Sequence, residues 1–394
     1  MPTGPLSLIS VVGARPQFIK LAPLCRALSE LGGNLRHVIV HTGQHYDYGM
    51  SEVFFKEMNI PHPDVNLSIG SGRQGEQTAA MIAALELQFE SLLPDGVIVY
   101  GDTNSTLAGA IVASKLHIPQ FHVEAGLRSF DRRMPEEVNR IVADQLAELL
   151  LAPTAQAMQN LANEGLAERA TWVGDVMYDA VLYNADIARQ TSNVLADLNI
   201  ASGQYAVATI HRAASTDRIV LAGLLETLAG IADELLPVVF PMHPRTRSVL
   251  GEAYSSPSKR LSIVEPQPYL DMLALVQNAQ LVLTDSGGLQ KEAAFLGTPC
   301  VTLRSTTEWT ETIDIGANRL TGFERDKIRS AVQEILATES KDWSQEMPRL
   351  YGDGNAARKI VAVVMEWFRN GRGSYGYVGE PPVIQPVQIQ FSKG

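Results

Sequence analysis

The sequence predicts an α/β protein built from two doubly wound domains that face a cleft, and three observations support this prediction. Short β-rich runs alternate with helical stretches along the chain, which is typical of parallel sheets covered by helices. The 394 residues exceed what one typical hydrophobic core holds, so two domains are expected. A polar stretch at residues 190–204 divides the β-rich runs into two series.

Each series supplies five predicted strands. The first places them at residues 6–12, 35–40, 97–100, 120–123 and 149–151, and the second at 205–210, 236–240, 261–264, 281–284 and 300–303. We therefore expect a first domain over residues 1–175, a second over 176–355, and a linker near 173–204. Apolar residues at helical spacing predict a helix at 356–370 that docks on a domain surface. Residues 371–394 are read as a tail.

Composition and charge limit the class of function. The net charge of −11 argues against a nucleic-acid partner, which would require a basic face. The two cysteines, Cys25 and Cys300, predict neither a disulfide framework nor a thiolate zinc site. No apolar run approaches the roughly 18 residues of a membrane span, and the N-terminus lacks the features of a signal peptide. We expect a cytoplasmic protein that does not bind membranes.

Three acidic residues lie where predicted strands end or a helix begins. Asp102 and Glu124 each follow a strand, and Glu136 lies in the first turn of a helix that starts at Pro135. Ligands of parallel sheets bind at the carboxyl ends of the strands, so side chains there face a cleft. Each acid alone is explained equally well as a turn or helix cap. All three together, each flanked by Gly or Pro, indicate proton transfer.

A phosphate site is predicted in the second half of the chain. A strand runs into Ser286, Gly287 and Gly288, and a helix follows. This arrangement directs free backbone N–H groups and the positive end of the helix dipole at one point. Glu292, one turn further along, is suited to accept hydrogen bonds from ribose hydroxyls. The alternative is an ordinary turn in which Ser286 only caps the helix.

Basic side chains from both halves are expected at the same cleft. His211, His243 and Arg245 follow strands of the second series, although a lone histidine is often structural. Arg15 and Lys20 follow the first strand on the opposite side, where Arg15 can hold a diphosphate and Lys20 could be a solvated surface charge. Neither histidine has a second ligand at zinc spacing, so no metal is predicted.

Two common cofactor motifs are not supported. Residues 70–75 spell the dinucleotide fingerprint, but no convincing strand precedes them, so we predict a loop and no NAD. No Walker-type glycine–lysine motif occurs, which argues against ATP. No cofactor is therefore expected.

Taken together, the segments resemble the non-hydrolysing UDP-N-acetylglucosamine 2-epimerase family. The matching segments are 13–20, 41–45, 101–103, 122–128, 135–140, 211–212, 243, 285–292, 304 and 306–308. The resemblance implies two Rossmann-like domains arranged as in type B glycosyltransferases, with a UDP-sugar in the cleft. It implies that Asp102, Glu124, Glu136 and His211 are catalytic. It also adds Arg140 and Arg304 to the binding residues and implies a homodimer that serves bacterial surface polysaccharide synthesis.

The reaction that the resemblance implies is an elimination followed by re-addition. UDP leaves carbon 1 as a proton leaves carbon 2, and both UDP and a 2-acetamidoglucal stay in the closed cleft. Return of the proton to the other face gives the 2-epimer. Preorganised cations and N–H groups would stabilise the departing diphosphate. Which carboxylate is the base stays open, because close carboxylates share protons.

Several details resemble a branch of the family that acts on UDP-2,3-diacetamido-2,3-dideoxyglucuronate. They are Ala14 and Gln17 at the first turn, residues 104–105, residues 130–134 and Trp309. That sugar bears a carboxylate, for which Arg128, Arg132 or Arg133 would be the partner. Two further alternatives are a glycosyltransferase on the same fold and a non-catalytic UDP-sugar sensor.

Some members of the family have a second, activating UDP-sugar site. Gln44, His45 and Arg73 match positions of that site. Activation by substrate is therefore a hypothesis for this chain.

Overall fold

A computed structural model describes residues 5–44, 52–251, 254, 256–338, 343 and 345–371. Within these residues the two series of strands form two separate, fully parallel sheets. The prediction of two doubly wound α/β domains is confirmed.

The first sheet contains seven strands in the part of the chain that the structure describes. They are β1 (Leu6–Val12), β2 (Leu35–His41), β3 (Val65–Asn66), β4 (Gly96–Tyr100), β5 (Gln120–Val123), β6 (Leu149–Ala152) and β7 (Ala170–Trp172), in the spatial order β3-β2-β1-β4-β5-β6-β7. The sequence did not predict β3 and β7. They are two and three residues long, too short to show the periodicity of a strand.

The second sheet has six strands within the described ranges. They are β8 (Ala206–Thr209), β9 (Val238–Pro241), β10 (Leu261–Val264), β11 (Leu281–Thr284), β12 (Cys300–Thr302) and β13 (Asn318–Leu320), in the order β10-β9-β8-β11-β12-β13. In each sheet the strand order reverses beside the first strand, between β1 and β4 and between β8 and β11. Ligands of doubly wound sheets bind at such points.

Helices cover both sheets, and their ends follow local sequence signals. Pro16, Pro135 and Pro244 occupy the first turn of their helices, where a missing N–H costs nothing. Thr103 and Ser286 accept hydrogen bonds from the first turn of the helices that follow them. The helices are α1 (Arg15–Ser29), α2 (Glu52–Glu57), α3 (Gln74–Leu92), α4 (Asn104–Lys115), α5 (Pro135–Leu146), α6 (Ala155–Asn163), α7 (Val176–Thr191), α8 (Val194–Asp197), α9 (Arg218–Glu234), α10 (Pro244–Leu250), α11 (Tyr269–Gln277), α12 (Gly287–Phe295), α13 (Thr310–Asp314), α14 (Arg325–Ala337), α15 (Met347–Tyr351) and α16 (Ala356–Asn370).

Helix α7 occupies half of the segment that the sequence suggested as a linker. Val176, Met177 and Val181 are buried in one apolar core that contains residues of both sheets, including Leu8 and Val207. The polar residues that suggested a linker lie on exposed positions toward the end of α7 and beyond it. The domains are thus joined by a packed helix.

The chain crosses between the domains a second time, beside the first crossing. The N–H of Asp175 donates to the carbonyl of Tyr351 at 2.7 Å. Gly174 and Gly352 both have φ of +89°, and a Cβ on Gly174 would lie 2.8 Å from the Tyr351 oxygen. Only glycine fits this close approach with a left-handed backbone. The two crossings therefore lie against each other.

After the second crossing, α16 packs on the first domain. The rings of Trp367 and Phe368 lie 5.4 and 5.6 Å from the ring of Phe121 on β5. Asp179 on α7 accepts hydrogen bonds from the backbone N–H groups of Ala356 and Ala357, at 3.0 and 2.8 Å. Residues 372–394 of the suggested tail lie outside the described residues.

None of the helices in the described part of the chain has both the length and the apolar character that a membrane span requires.

Candidate active site

Glu124 lies in a buried cluster of four charges. It follows β5 with φ of +70° and is 8% exposed. Lys20 Nζ donates to Glu124 Oε2, and Lys291 Nζ donates to Oε1 at 3.2 Å. Lys291 also donates to Oδ2 of Asp175 at 2.5 Å. We call these four residues the charge cluster, in which two cations balance two anions away from water.

The charge cluster keeps Glu124 ionised. Burial alone would raise its pKa, but the ammonium groups of Lys20 and Lys291 outweigh burial and lower the pKa to about 2. Burial would lower the pKa of Lys291, but the carboxylates of Asp175 and Glu124 raise it. Glu124 is therefore an anion at neutral pH.

The turn that carries Asp102 packs against this cluster. Gly101 has φ of +60°, and a Cβ there would lie 3.0 Å from Oε2 of Glu124 and 3.1 Å from Nζ of Lys20. Only glycine combines this backbone conformation with such a close approach. Because β4 and β5 are paired neighbours, Asp102 and Glu124 leave the sheet on adjacent turns.

Asp102 is paired with Arg140 on α5. Arg140 Nη2 donates to Oδ2 of Asp102 at 2.5 Å, and Asn139 Nδ2 donates to the Asp102 carbonyl at 2.9 Å. Burial would lower the pKa of Arg140, but Asp102, Glu137 and Glu308 raise it. Glu308 belongs to the second domain, so Arg140 lies where the domains meet.

Glu136 is exposed in the first turn of α5, one turn before Arg140. The adjacent Glu137 is buried and accepts hydrogen bonds from the N–H groups of Ser129 and Phe130, both at 2.9 Å. Glu137 thus fixes the loop before α5 while Glu136 stays accessible. The structure places Asp102 on the turn adjacent to the one that carries Glu124, and it places Glu136 on α5, whose Asn139 and Arg140 contact Asp102.

A buried network of polar groups fixes the turns that follow β4 and β5. His122 Nδ1 lies 2.6 Å from Oδ1 of Asp144, and its Nε2 lies 2.7 Å from the Gly101 carbonyl oxygen. Arg128 contacts Asp144 Oδ2 at 2.7 Å and donates two bonds of 2.7 Å to Glu164. Arg128 is therefore fully engaged inside the first domain. The suggestion that it could contact a sugar carboxylate does not fit this geometry.

Two arginines lie over the start of α12 in the second domain. A Cβ on Gly287 would lie 3.3 Å from Nη2 of Arg212 and 3.8 Å from Nη1 of Arg304. Ser286 caps the helix by accepting a hydrogen bond from Leu289 N–H at 3.3 Å. The helix N-terminus and two guanidinium groups thus converge at one point, which suits a diphosphate. Gly288 belongs to the same first turn.

The paired histidines lie just beyond the ends of two neighbouring strands, His211 after β8 and His243 after β9. The rings of His211 and His243 are 5.3 Å apart, and Nδ1 of His243 accepts a hydrogen bond from Arg245 N–H at 3.1 Å. Arg245 Nη1 donates to the His211 carbonyl at 3.2 Å. Burial and neighbouring charges lower the pKa of His243 to about 4, and burial also lowers the pKa of His211. Both rings are therefore neutral at pH 7.

Arg15 approaches the second domain from the first. Its charge contributes to the lowered pKa values of His211 and His243 and opposes the burial that raises the pKa of Glu292. Glu292 is buried, and a hydrogen bond with Tyr269 helps to lower its pKa against that burial. Arg15 thus lies near the histidines, and Glu292 is enclosed within the second domain.

The suggested activator residues are not joined by the described contacts. Gln44 Oε1 accepts a hydrogen bond from Ser105 Oγ at 2.9 Å, so it faces α4. Arg73 is exposed and pairs with Glu76. His45 lies outside the described residues.

Within the described ranges, no group of three or more His, Cys, Asp or Glu side chains is arranged to hold a metal.

Three residues of the site were not among the predicted catalytic or binding residues. Lys291 and Asp175 join the charge cluster, and Arg212 lies over α12. Arg212 follows the same strand as His211, a signal that could have identified it. Lys291 lies in mid-helix and Asp175 at a helix start, and only the packing of the two domains brings them together.

The chain is similar in sequence to proteins named as UDP-sugar 2-epimerases or their homologues. A family profile described as UDP-N-acetylglucosamine 2-epimerase matches residues 27–365. A Methanococcus maripaludis protein named UDP-N-acetylglucosamine 2-epimerase homolog is 45% identical, covering 91% of this chain and 99% of its own length. The Pseudomonas aeruginosa UDP-2,3-diacetamido-2,3-dideoxy-D-glucuronate 2-epimerase is 46% identical, covering 90% and 98%.

Solved structures show the same likeness. The crystal structure of Methanocaldococcus jannaschii UDP-GlcNAc 2-epimerase, in complex with UDP-GlcNAc and UDP, has a TM-score of 0.84 and 41% identity, over 92% of this chain and 100% of that one. The spinosyn rhamnosyltransferase SpnG is 15% identical with a TM-score of 0.54, over 93% of this chain and 100% of that one. The latter likeness concerns the fold alone, which is of the type B glycosyltransferase kind.

Proposed function

The chain belongs to the UDP-N-acetylglucosamine 2-epimerase family and is an isomerase, and we propose that it interconverts UDP-N-acetylglucosamine and UDP-N-acetylmannosamine. The M. jannaschii relative, whose structure contains UDP-GlcNAc and UDP, supports this substrate. The observation that carries the proposal is the meeting of an anion site and a carboxylate site. The anion site is the first turn of α12, next to Arg212 and Arg304. Lys291, on the same helix, contacts the carboxylate of Glu124.

In the proposed binding mode the diphosphate contacts the N-terminus of α12. Ser286, Gly287 and Gly288 supply its first turn, and Arg212 and Arg304 supply positive charge. Arg15, His211, His243 and Arg245 line the adjacent rim. Neutral histidines donate hydrogen bonds to the diphosphate, while the arginines carry the charge.

In the proposed reaction a carboxylate removes the proton from carbon 2 while the bond between carbon 1 and the diphosphate oxygen breaks. The electrons of the C–H bond form the C1–C2 double bond, and the bond electrons at carbon 1 leave with UDP. In the return step carbon 2 takes a proton on its other face and the diphosphate oxygen re-forms its bond to carbon 1. Asp102, Glu124 and Glu136 are the proposed proton-transfer and charge-stabilising groups.

A second candidate substrate is the UDP-diacetamido-uronate. The P. aeruginosa relative named for that sugar, at 46% identity, favours it. Because Arg128 is engaged with Asp144 and Glu164 inside the first domain, the exposed Arg132 and Arg133 are the candidate partners for the sugar carboxylate. Arg132 is exposed in the loop before α5.

The deciding experiment incubates each UDP-sugar separately with the enzyme in deuterated water, without added cofactor. NMR should show deuterium at carbon 2 and formation of the 2-epimer for the true substrate. The variant E234Q is the matched control, because it changes an exposed carboxylate outside the cleft. Its epimerisation rate should equal that of the wild type. If UDP-sugar binds but no deuterium enters either compound, the chain is a sensor and the enzymatic proposal is wrong. Sugar transfer to an acceptor would instead indicate a glycosyltransferase.

We further propose a cytoplasmic homodimer. The free, buried thiols of Cys25 and Cys300 fit a reducing compartment. Light scattering on the purified protein would test the assembly, and a monomer mass would contradict it.

A further inference from the structure

Lys291 lies where both domains and α7 meet, and the proposed reaction assigns it no role. Its side chain is 1% exposed. Nζ lies 2.5 Å from Asp175 Oδ2, 3.2 Å from Glu124 Oε1 and 3.7 Å from the centroid of the Trp309 ring. The ammonium group therefore contacts an acid of the first domain, an acid at the crossing and an aromatic ring of the second domain.

Lys291 also lies on the helix that carries the anion site. Gly287 begins α12, and Lys291 follows it by one turn on the same rigid element. Any displacement of the first turn of α12 therefore moves the ammonium group that contacts Glu124. The anion site and the carboxylate are connected through one helix.

The geometry of Glu124 indicates that its orientation matters. Its backbone has φ of +70°, a conformation that is costly for a residue with a side chain and often marks functional positions. Lys20 contacts one carboxylate oxygen and Lys291 the other. Lys20 alone would leave Oε1 without its cationic partner, so the carboxylate would be free to turn.

We propose that Lys291 is a positioning residue that holds Glu124 in its working orientation when the diphosphate is seated on α12. The inference rests on the proposed function, because it assumes that Glu124 takes part in the reaction. A purely structural ion pair is the competing explanation, since breaking a buried pair destabilises a protein whatever its function.

The balance of charges allows the two explanations to be separated. K291M removes one cation and leaves the cluster with an excess negative charge. D175N/K291M restores the balance, because Lys20 and Glu124 remain as a pair, and Asn at position 175 can still cap α7. E124Q/K291M is balanced as well, through Lys20 and Asp175. The double variants are thus suited to fold even where K291M is not.

The experiment measures epimerisation rate, UDP affinity by calorimetry and thermal unfolding for wild type, K291M, D175N/K291M, E124Q and E124Q/K291M. We expect K291M to lose at least about tenfold in kcat while UDP affinity stays within about threefold, since Lys291 does not face the anion site. D175N/K291M should regain thermal stability without regaining kcat. E124Q/K291M should be no slower than E124Q.

Two outcomes would overturn the inference. Recovery of kcat in D175N/K291M together with stability would show that Lys291 only balances charge. A loss in E124Q/K291M equal to the product of the two single losses would show that Lys291 acts independently of Glu124. Failure of the proposed function is distinguishable from both, because the wild-type enzyme itself would then show no exchange at carbon 2.

Discussion

The buried carboxylate of Asp285 accepts a hydrogen bond from the backbone N–H of His211 at 2.8 Å. The same oxygen accepts from Arg212 N–H at 2.8 Å and from the Ser215 hydroxyl. The residue that follows β11 thereby fixes the loop that follows β8. The histidine and arginine of the proposed diphosphate site are thus positioned by an acid that does not itself reach the cleft.

Replacing Asp285 by Asn should loosen that loop. The amide retains one acceptor oxygen but loses the charge, so the free energy of unfolding should fall by about 1.5–3 kcal/mol. UDP affinity should fall at least about tenfold, because Arg212 and His211 lose their fixed positions. Denaturation and calorimetry measure both. D217N is the matched control, since Asn preserves the exposed cap of α9; equal losses in both variants would contradict the prediction.

Replacing Arg212 by Ala should weaken UDP binding by about ten- to a hundredfold, the range expected for a charged hydrogen bond to phosphate. Arg247 provides the control, because its guanidinium pairs with the exposed Glu265 at 2.7 Å. R247A should bind UDP as wild type does. Unchanged affinity in R212A would remove this residue from the anion site.

Replacing Gly101 by Ala should abolish most turnover. The new methyl group would approach the contact between Glu124 and Lys20 to about 3 Å, and the backbone strain adds roughly 1–2 kcal/mol. Gly165 has φ of +77°, and a Cβ there would meet no atom within 4 Å, so G165A carries the strain without the collision. Epimerase rates should fall at least about tenfold in G101A and stay near wild type in G165A. Equal rates in the two variants would refute the steric argument.

The proposed proton-transfer groups can be tested individually. D102N, E124Q and E136Q should each lower turnover by at least about a hundredfold while UDP affinity is retained. Steady-state kinetics and calorimetry separate the two effects. If all three variants kept wild-type turnover, the carboxylate mechanism would be wrong.

His243 should make stability depend on pH. Burial, His211, Arg245 and Arg15 lower its pKa to about 4 from the ordinary value of 6.5. The unfolded chain therefore takes up a proton first, so the stability that the neutral ring contributes is complete above pH 6.5 and is lost as the pH falls toward 4.

H243N retains a helix cap and removes the titration. Chemical denaturation between pH 7 and 4.5 should show a shallower loss of stability in H243N than in wild type. H62N, at an exposed position, should follow wild type. Parallel curves for wild type and H243N would contradict the assignment.

The sequence predicted what local patterns determine. The longer strands and the start of α12 at Gly287 were predicted correctly. Apolar runs and turn residues indicate them without reference to the rest of the chain. The acids after β4 and β5 were identified for the same reason. Helix α7 was missed because its polar end resembles a linker, although its buried face joins two cores.

The environment of Glu124 could not be predicted from local patterns. Lys291 and Asp175 are separated by more than a hundred residues along the chain, and the docking of the two domains brings Lys291 into contact with both Asp175 and Glu124. The burial of Glu292 was not visible in local patterns either, because its contact with Tyr269 joins two different helices of the second domain. Packing between distant segments therefore sets the environment of both carboxylates.

The paired crossings at Gly174 and Gly352 have a mechanical consequence. Because the two crossings are hydrogen-bonded side by side, they connect the lobes at one place and not at two separate ones. A change in the angle between the lobes would therefore pivot at that place. The distance from the carboxylates of one lobe to the anion site of the other would change with it.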